Sequence, residues 1–171
     1  MALVADVLAL HGSPGSGKST LARALALTLG EANIPWGVID MDELSLIHPY
    51  PGRFFPRENL RAIWPNYVGA VPNIKLIIPT VFADEEEVEL LRAVLPGARL
   101  LICELTAPME ILKQRVTDRE PTDEMAAALR RWVDVYHARS DHERIRHFQV
   151  ITYPASVDES VREIMQLADW T

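Results

Sequence analysis

The sequence predicts an α/β protein, with a five-stranded parallel sheet and helices on both faces in three layers. Three observations carry this. Short apolar runs alternate along the chain with stretches whose apolar residues recur at helical spacing. The runs are apolar nearly throughout, as strands covered on both faces are. A glycine-rich turn joins the first run directly to the first helical stretch.

Taken in order, Val4 to Leu10 reads as the first strand. Lys18 to Gly30 reads as the first helix, with Leu21, Ala24, Leu25, Leu27 and Leu29 apolar and a terminal glycine. Trp36 to Ile39 is a second short strand, closed by Asp40. From Met41 to Pro72 the periodicity fails, and prolines fall at 49, 51, 56, 65 and 72. Only a short helix over Arg57 to Trp64 is expected there. Lys75 to Phe82 is the third strand, broken late by Pro79. Asp84 caps a helix running to Leu95, with an acidic first turn and a stripe of Val88, Leu91, Val94 and Leu95. Arg99 to Leu105 is the fourth strand. Pro108 opens a helix that ends at Arg119, and Thr122 to Arg139 forms another. Phe148 to Thr152 is the fifth strand and Ser156 to Ala168 the last helix.

A chain of 171 residues with 49% hydrophobic and 24% charged residues has the makeup of one globular domain, spanning 1–171. Seventeen basic against 24 acidic residues give a net charge of −7, which argues against a nucleic-acid or membrane-surface partner. The single cysteine, Cys103, lies in an apolar run and reads as core. No run is long and apolar enough to span a membrane, and the start reads as a strand rather than a signal peptide. The expectation is a cytoplasmic monomer or homodimer acting on a small molecule. No repeat or linker divides the chain, so the irregular stretch 41–72 is too long for a plain connection and reads as functional.

Gly12-Ser13-Pro14-Gly15-Ser16-Gly17-Lys18-Ser19 matches G-x-x-x-x-G-K-[ST], after a strand and before a helix. Glycines let the backbone curl so that successive N–H groups face a phosphate, and the helix N-terminus adds positive character. Lys18 is placed to reach the β- and γ-oxygens, Ser19 to offer a hydroxyl to Mg²⁺, and Thr20 to bond near the α-phosphate. A P-loop NTPase fold follows, binding ATP or GTP with Mg²⁺. The third strand ends without the Mg²⁺-ordering aspartate that motor and switch NTPases carry there. Instead the second strand leads into Asp40-Met41-Asp42-Glu43. One carboxylate of this group orders the Mg²⁺ water shell or accepts a hydroxyl proton, and another orients the acceptor. Asp40 and Asp42 are the candidates, with Glu43 a third possible base. If the chain stays extended, both aspartates point to one side.

The P-loop 12–19, Ile39-Asp40-Met41-Asp42, and the fourth strand followed by Pro108, Arg115 and Arg119 resemble the small P-loop kinases. These are the adenylylsulfate, shikimate and gluconate kinases and chloramphenicol phosphotransferase. The resemblance covers the scaffold, and it implies γ-phosphoryl transfer to a hydroxyl. It also implies a short lid, here about 115–125, whose arginines contact the triphosphate. Arg115 and Arg119 are i, i+4 on one helix and share a face. Glu120-Pro121-Thr122-Asp123 breaks the helix as a hinge. Arg130, Arg131 and Arg139 read as surface charges, with one of them a candidate to line the cleft. Glu104 stands out as a lone charge on the apolar fourth strand, with no assigned role.

The segment after the carboxylates packs aromatics and arginines at the carboxyl ends of the strands, where open α/β sheets bind ligands. Phe54, Trp64 and Tyr67 are candidate apolar walls. Arg53, Arg57 and Arg61 are candidate anchors for a carboxylate, phosphate or polyol. Three readings follow. The first is an O-kinase of a small molecule, one version being a natural product or antibiotic phosphorylated for self-resistance. The second is an adenylylsulfate-kinase-like or nucleotide kinase. The third is a nucleotide-sensing module with slow hydrolysis.

Overall fold

The computed structural model describes residues 5–171. The strands are β1 (Ala5–His11), β2 (Trp36–Val38), β3 (Lys75–Thr80), β4 (Ala98–Thr106) and β5 (Phe148–Ile151). They form one sheet in the order β2-β3-β1-β4-β5, with every neighbouring pair parallel. The helices are α1 (Lys18–Glu31), α2 (Phe55–Ala70), α3 (Glu85–Ala93), α4 (Met109–Arg119), α5 (Asp123–His137), α6 (His142–Ile145) and α7 (Val157–Ala168). This is the P-loop NTPase architecture expected from the sequence. Val4, expected to open the first strand, lies outside the described residues.

Alternation along β1 divides the core. Ala5, Val7 and Ala9 face Leu60 and Trp64 of α2 and Val88 and Leu91 of α3. Leu8 and Leu10 face Leu21, Leu25 and Leu29 of α1 and Ile164 and Met165 of α7. A smaller cluster of Ala107, Leu112 and Val133 joins α4 to α5. Asp84 accepts from the Glu87 N–H, and Ser156 and Glu159 form a reciprocal capping box at α7.

Two expectations in the middle of the chain need correction. The helix foreseen over Arg57 to Trp64 runs from Phe55 to Ala70. Pro56 sits in its first turn, and the buried stripe Pro56, Leu60 and Trp64 drives it onto the sheet. Pro65 lies inside it on the exposed side, where the missing N–H leaves the Arg61 carbonyl toward solvent. Pro79 is kept within β3. Its missing N–H faces β2, which has already ended at Val38, while its carbonyl still accepts from Met41 N–H at 3.2 Å. The short α6 had no signal in the periodicity.

β1 is central, and the chain leaves it toward β2 on one side and returns through β3 to β4 on the other. The carboxyl ends of β1 and β3 therefore border the crevice where such sheets take ligands. Among the described residues no helix is long and apolar enough to cross a membrane.

Candidate functional site

The loop leaving β1 folds back under α1. Gly15 has φ +80°, and a Cβ there would sit 2.6 Å from the Leu112 carbonyl oxygen of α4. Gly17, at φ +97°, caps α1 in the left-handed region. Both conformations are strained for any other residue. The Lys18 ammonium curls over the loop and donates to the Gly12 carbonyl at 2.9 Å and to the Ser13 carbonyl at 3.1 Å. Burial pushes its pKa down to about 8, opposed by Asp42 and assisted by Arg119. The buried Ser16 hydroxyl has no hydrogen-bond partner within the protein, a donor left over in the loop's concavity.

Asp40 and Asp42 are both brought to this loop, by different routes. Asp40 Oδ2 lies 3.5 Å from the Ser19 hydroxyl, and its Oδ1 accepts from the Asp42 N–H at 2.9 Å. The chain does not stay extended. Asp42 is in the right-handed helical region and caps a one-turn 3-10 helix, Glu43–Ser45. Asp42 nevertheless lines the cleft together with Lys18, Ser19 and Arg119. Glu43 is exposed and lines none of the pockets around the loop. Ser19 with Asp40 fits Mg²⁺, a hard cation bound through few protein oxygens plus substrate phosphates.

The two arginines of α4 face the loop but are engaged differently. Arg115 donates to the Gly15 carbonyl at 3.1 Å, to the Thr152 hydroxyl at 3.0 Å and to the Thr152 carbonyl at 2.8 Å. It ties the loop to the end of β5. Arg119 is exposed, meets only Glu120, and lines the cleft on either side of Gly17. Thr152, buried at the end of β5, had no sequence signal for this contact, because its partner lies 37 residues away.

The acceptor candidates divide. Arg53 and Arg57 line a small pocket with Asp42 and Tyr50. Arg57 is buried, lies 3.6 Å from Glu87, and keeps its Nε without a partner. Phe54 is exposed and lies under the Arg53 guanidinium. Three others are elsewhere. Trp64 is a core residue, 3% exposed on α2's sheet face. Tyr67 packs in the same core and crowds Gly37 of β2. Arg61 points to solvent and pairs with Glu58. The helical register of α2 turns these three away from the crevice, which the expected irregular segment did not foresee.

Behind the loop lies a buried polar network. His11 Nδ1 accepts from the Phe82 N–H at 3.1 Å, so its proton sits on Nε2, 3.2 Å from the Tyr136 hydroxyl. Tyr136 donates to Glu104 at 3.0 Å, and Arg146 closes on the other carboxylate oxygen at 2.5 Å. This gives Glu104 its role. Burial, with Arg139 and Lys18 nearby, holds the His11 pKa at about 3, so His11 is neutral. Arg139, expected at the surface, is half-buried and grips Asp141 and the Phe82 carbonyl.

Comparison with known proteins follows this geometry. No family model and no curated protein sequence matches the chain. Solved structures do. An APS kinase of Mycobacterium tuberculosis, in complex with AMPPNP and APS, is 20% identical with a TM-score of 0.66, covering 96% of this chain and 98% of that one. A gluconokinase of Sinorhizobium meliloti is 19% identical with a TM-score of 0.66, covering 99% and 94%. A shikimate kinase of Acinetobacter baumannii, in complex with shikimate, is 19% identical with a TM-score of 0.57, covering 94% and 91%. The resemblance to adenylylsulfate, gluconate and shikimate kinases read from the motifs is thus met at the level of structure. The chain has the fold of the small P-loop kinases over nearly its whole length.

Proposed function

We propose that this chain transfers the γ-phosphoryl group of ATP or GTP, with Mg²⁺, to a hydroxyl group of a small molecule. The observation that carries the reading is the meeting of Lys18, Ser19, Asp42 and Arg119 in one cleft beside the phosphate-binding loop. Backbone N–H groups of 15–19 and the Lys18 ammonium hold the β- and γ-phosphates. Ser19 and Asp40 would hold Mg²⁺, which would neutralise charge on the phosphate oxygens. Asp42 orients the acceptor hydroxyl and takes its proton as the new oxygen–phosphorus bond forms and the bridging bond to the departing diphosphate breaks. Arg119 meets charge on the transferring group, and Arg115 keeps loop and β5 in register. Such a reaction belongs where nucleoside triphosphates are supplied, the cytoplasm.

Arg53 and Arg57 beside Asp42 favour a second reading, a nucleotide-kinase or adenylylsulfate-kinase reaction in which the acceptor carries its own anionic group. A natural-product alcohol is the alternative acceptor, and the two differ in whether charge or apolar surface recognises it. The test of the transferase reading is Asp42→Asn. Transfer falls by about 10²-fold or more, while nucleotide affinity is kept. Full transfer by Asp42→Asn would overturn the assignment of the acceptor-activating group.

A further inference from the structure

α5 carries an apolar stripe that its own packing does not use. Ala126, Val133 and Tyr136 are buried, as α5's contribution to the fold requires. Met125, Leu129 and Trp132 recur at i, i+4 and i+7, and Met125 and Trp132 are exposed, Trp132 at 61%. With Val135, also exposed, Trp132 walls a cavity of about 440 Å³. Pro14 of the glycine-rich loop and Val81 and Ala83 after β3 line the same cavity. Pro14 and Val81 also line the cleft that holds Lys18 and Asp42, so the two spaces adjoin.

The charged groups in the cavity are already engaged. Arg139 donates from all three of its guanidinium nitrogens, to Asp141 and the Phe82 carbonyl. Glu87 accepts from the Ala83 N–H at 2.8 Å and pairs with Arg57. A polyol placed here would give up hydrogen bonds to water and find few in return, a loss of about 1–3 kcal/mol for each buried group left unpaired. A flat apolar body would instead cover Trp132, Val135 and Val81. The polar pocket of Arg53 and Arg57 holds about 160 Å³, below the roughly 300–1,000 Å³ of ligand-sized sites, whereas the apolar cavity lies within that range.

We infer that the acceptor is an amphiphilic alcohol, with an aromatic or alicyclic body seated on Trp132, Val135 and Val81 and its hydroxyl turned toward Asp42. The inference rests on the transferase reading and goes past it, by separating the acceptor from the polar acids and polyols. The probe is naphthyl-ethanol, with shikimate and gluconate as polar comparators. Each is titrated by ligand-observed NMR into the full chain with Mg²⁺ and a non-hydrolysable ATP analogue. Naphthyl-ethanol is expected to bind at least about tenfold more tightly than either comparator, and Trp132→Ala to weaken it by about tenfold. Affinity for the ATP analogue, measured in the same samples, reports the integrity of the fold, and Trp132→Phe is expected to restore most of the binding. Tighter binding of shikimate or gluconate, no binding of naphthyl-ethanol, or equal binding by Trp132→Ala would each overturn the inference. The transferase reading itself fails on a different result, the absence of transfer from ATP to any alcohol.

Discussion

Lys18 holds its ammonium against the Gly12 and Ser13 carbonyls, and burial lowers its pKa from 10.5 to about 8. Between those values the unfolded chain binds a proton that the folded protein lacks. Lys18 therefore makes the fold more stable as pH rises through that window. A triphosphate reverses this locally, because its charge favours the ammonium. Nucleotide binding at about pH 9 is expected to take up a proton, seen as a dependence of calorimetric binding heat on the buffer's ionisation enthalpy. Lys18→Met should abolish that dependence; a wild-type heat independent of buffer would contradict the burial argument. The α4 arginines give a second contrast. Arg119→Ala is expected to lower kcat by about 10²-fold with a smaller effect on nucleotide affinity. Arg115→Ala breaks the bonds to Gly15 and Thr152 and should lower Tm and nucleotide affinity together. Equal kcat losses with unchanged Tm would show that Arg115 acts on the triphosphate after all. The sharing of a face by the two was legible from i, i+4 spacing. Their different duties were not, because Thr152 is distant in sequence.

α4 and α5 form a hairpin pinned by Lys113 to Asp134 at 2.7 Å and by Arg130 to the Thr117 hydroxyl at 2.8 Å. Tyr136 fastens this hairpin to the sheet through His11 and Glu104, next to the first residue of the loop. Tyr136→Phe keeps the packing and leaves buried partners short of a bond. It is expected to cost about 1–3 kcal/mol in denaturant unfolding; unchanged stability would remove the network from the account. Glu104 was visible in the sequence only as an anomaly on an apolar strand, since its partners come from α5, β5 and the segment after α6. α2 was half legible. Leu60 and Trp64 announced a helix, but Pro65 hid its continuation, because the effect of a proline depends on whether its face is buried or exposed. That misreading also put Arg61, Trp64 and Tyr67 at the crevice.

At the scale of the whole molecule, the parallel sheet and its two covered faces were readable from periodicity alone, and the tight turn from β1 into α1 from the spacing of Gly12, Gly17 and Lys18. The strand order was not readable, since pairing of β1 with β3 and β4 is set by crossover packing and not by local pattern. The apolar cavity was missed for the same reason. Pro14, Val81 and Trp132 come from three separate parts of the chain, and only the fold brings them to one cavity. The account as a whole turns on a single chemical event. Wild-type protein, ATP and Mg²⁺ are incubated with a panel of aryl-bearing alcohols, polyols and nucleotides, and the products are read by mass spectrometry. The account predicts an acceptor that gains one phosphoryl group, in step with the formation of ADP, and no such product with Lys18→Ala. ADP formed without a phosphorylated acceptor, or a product made equally well by Lys18→Ala, would contradict it.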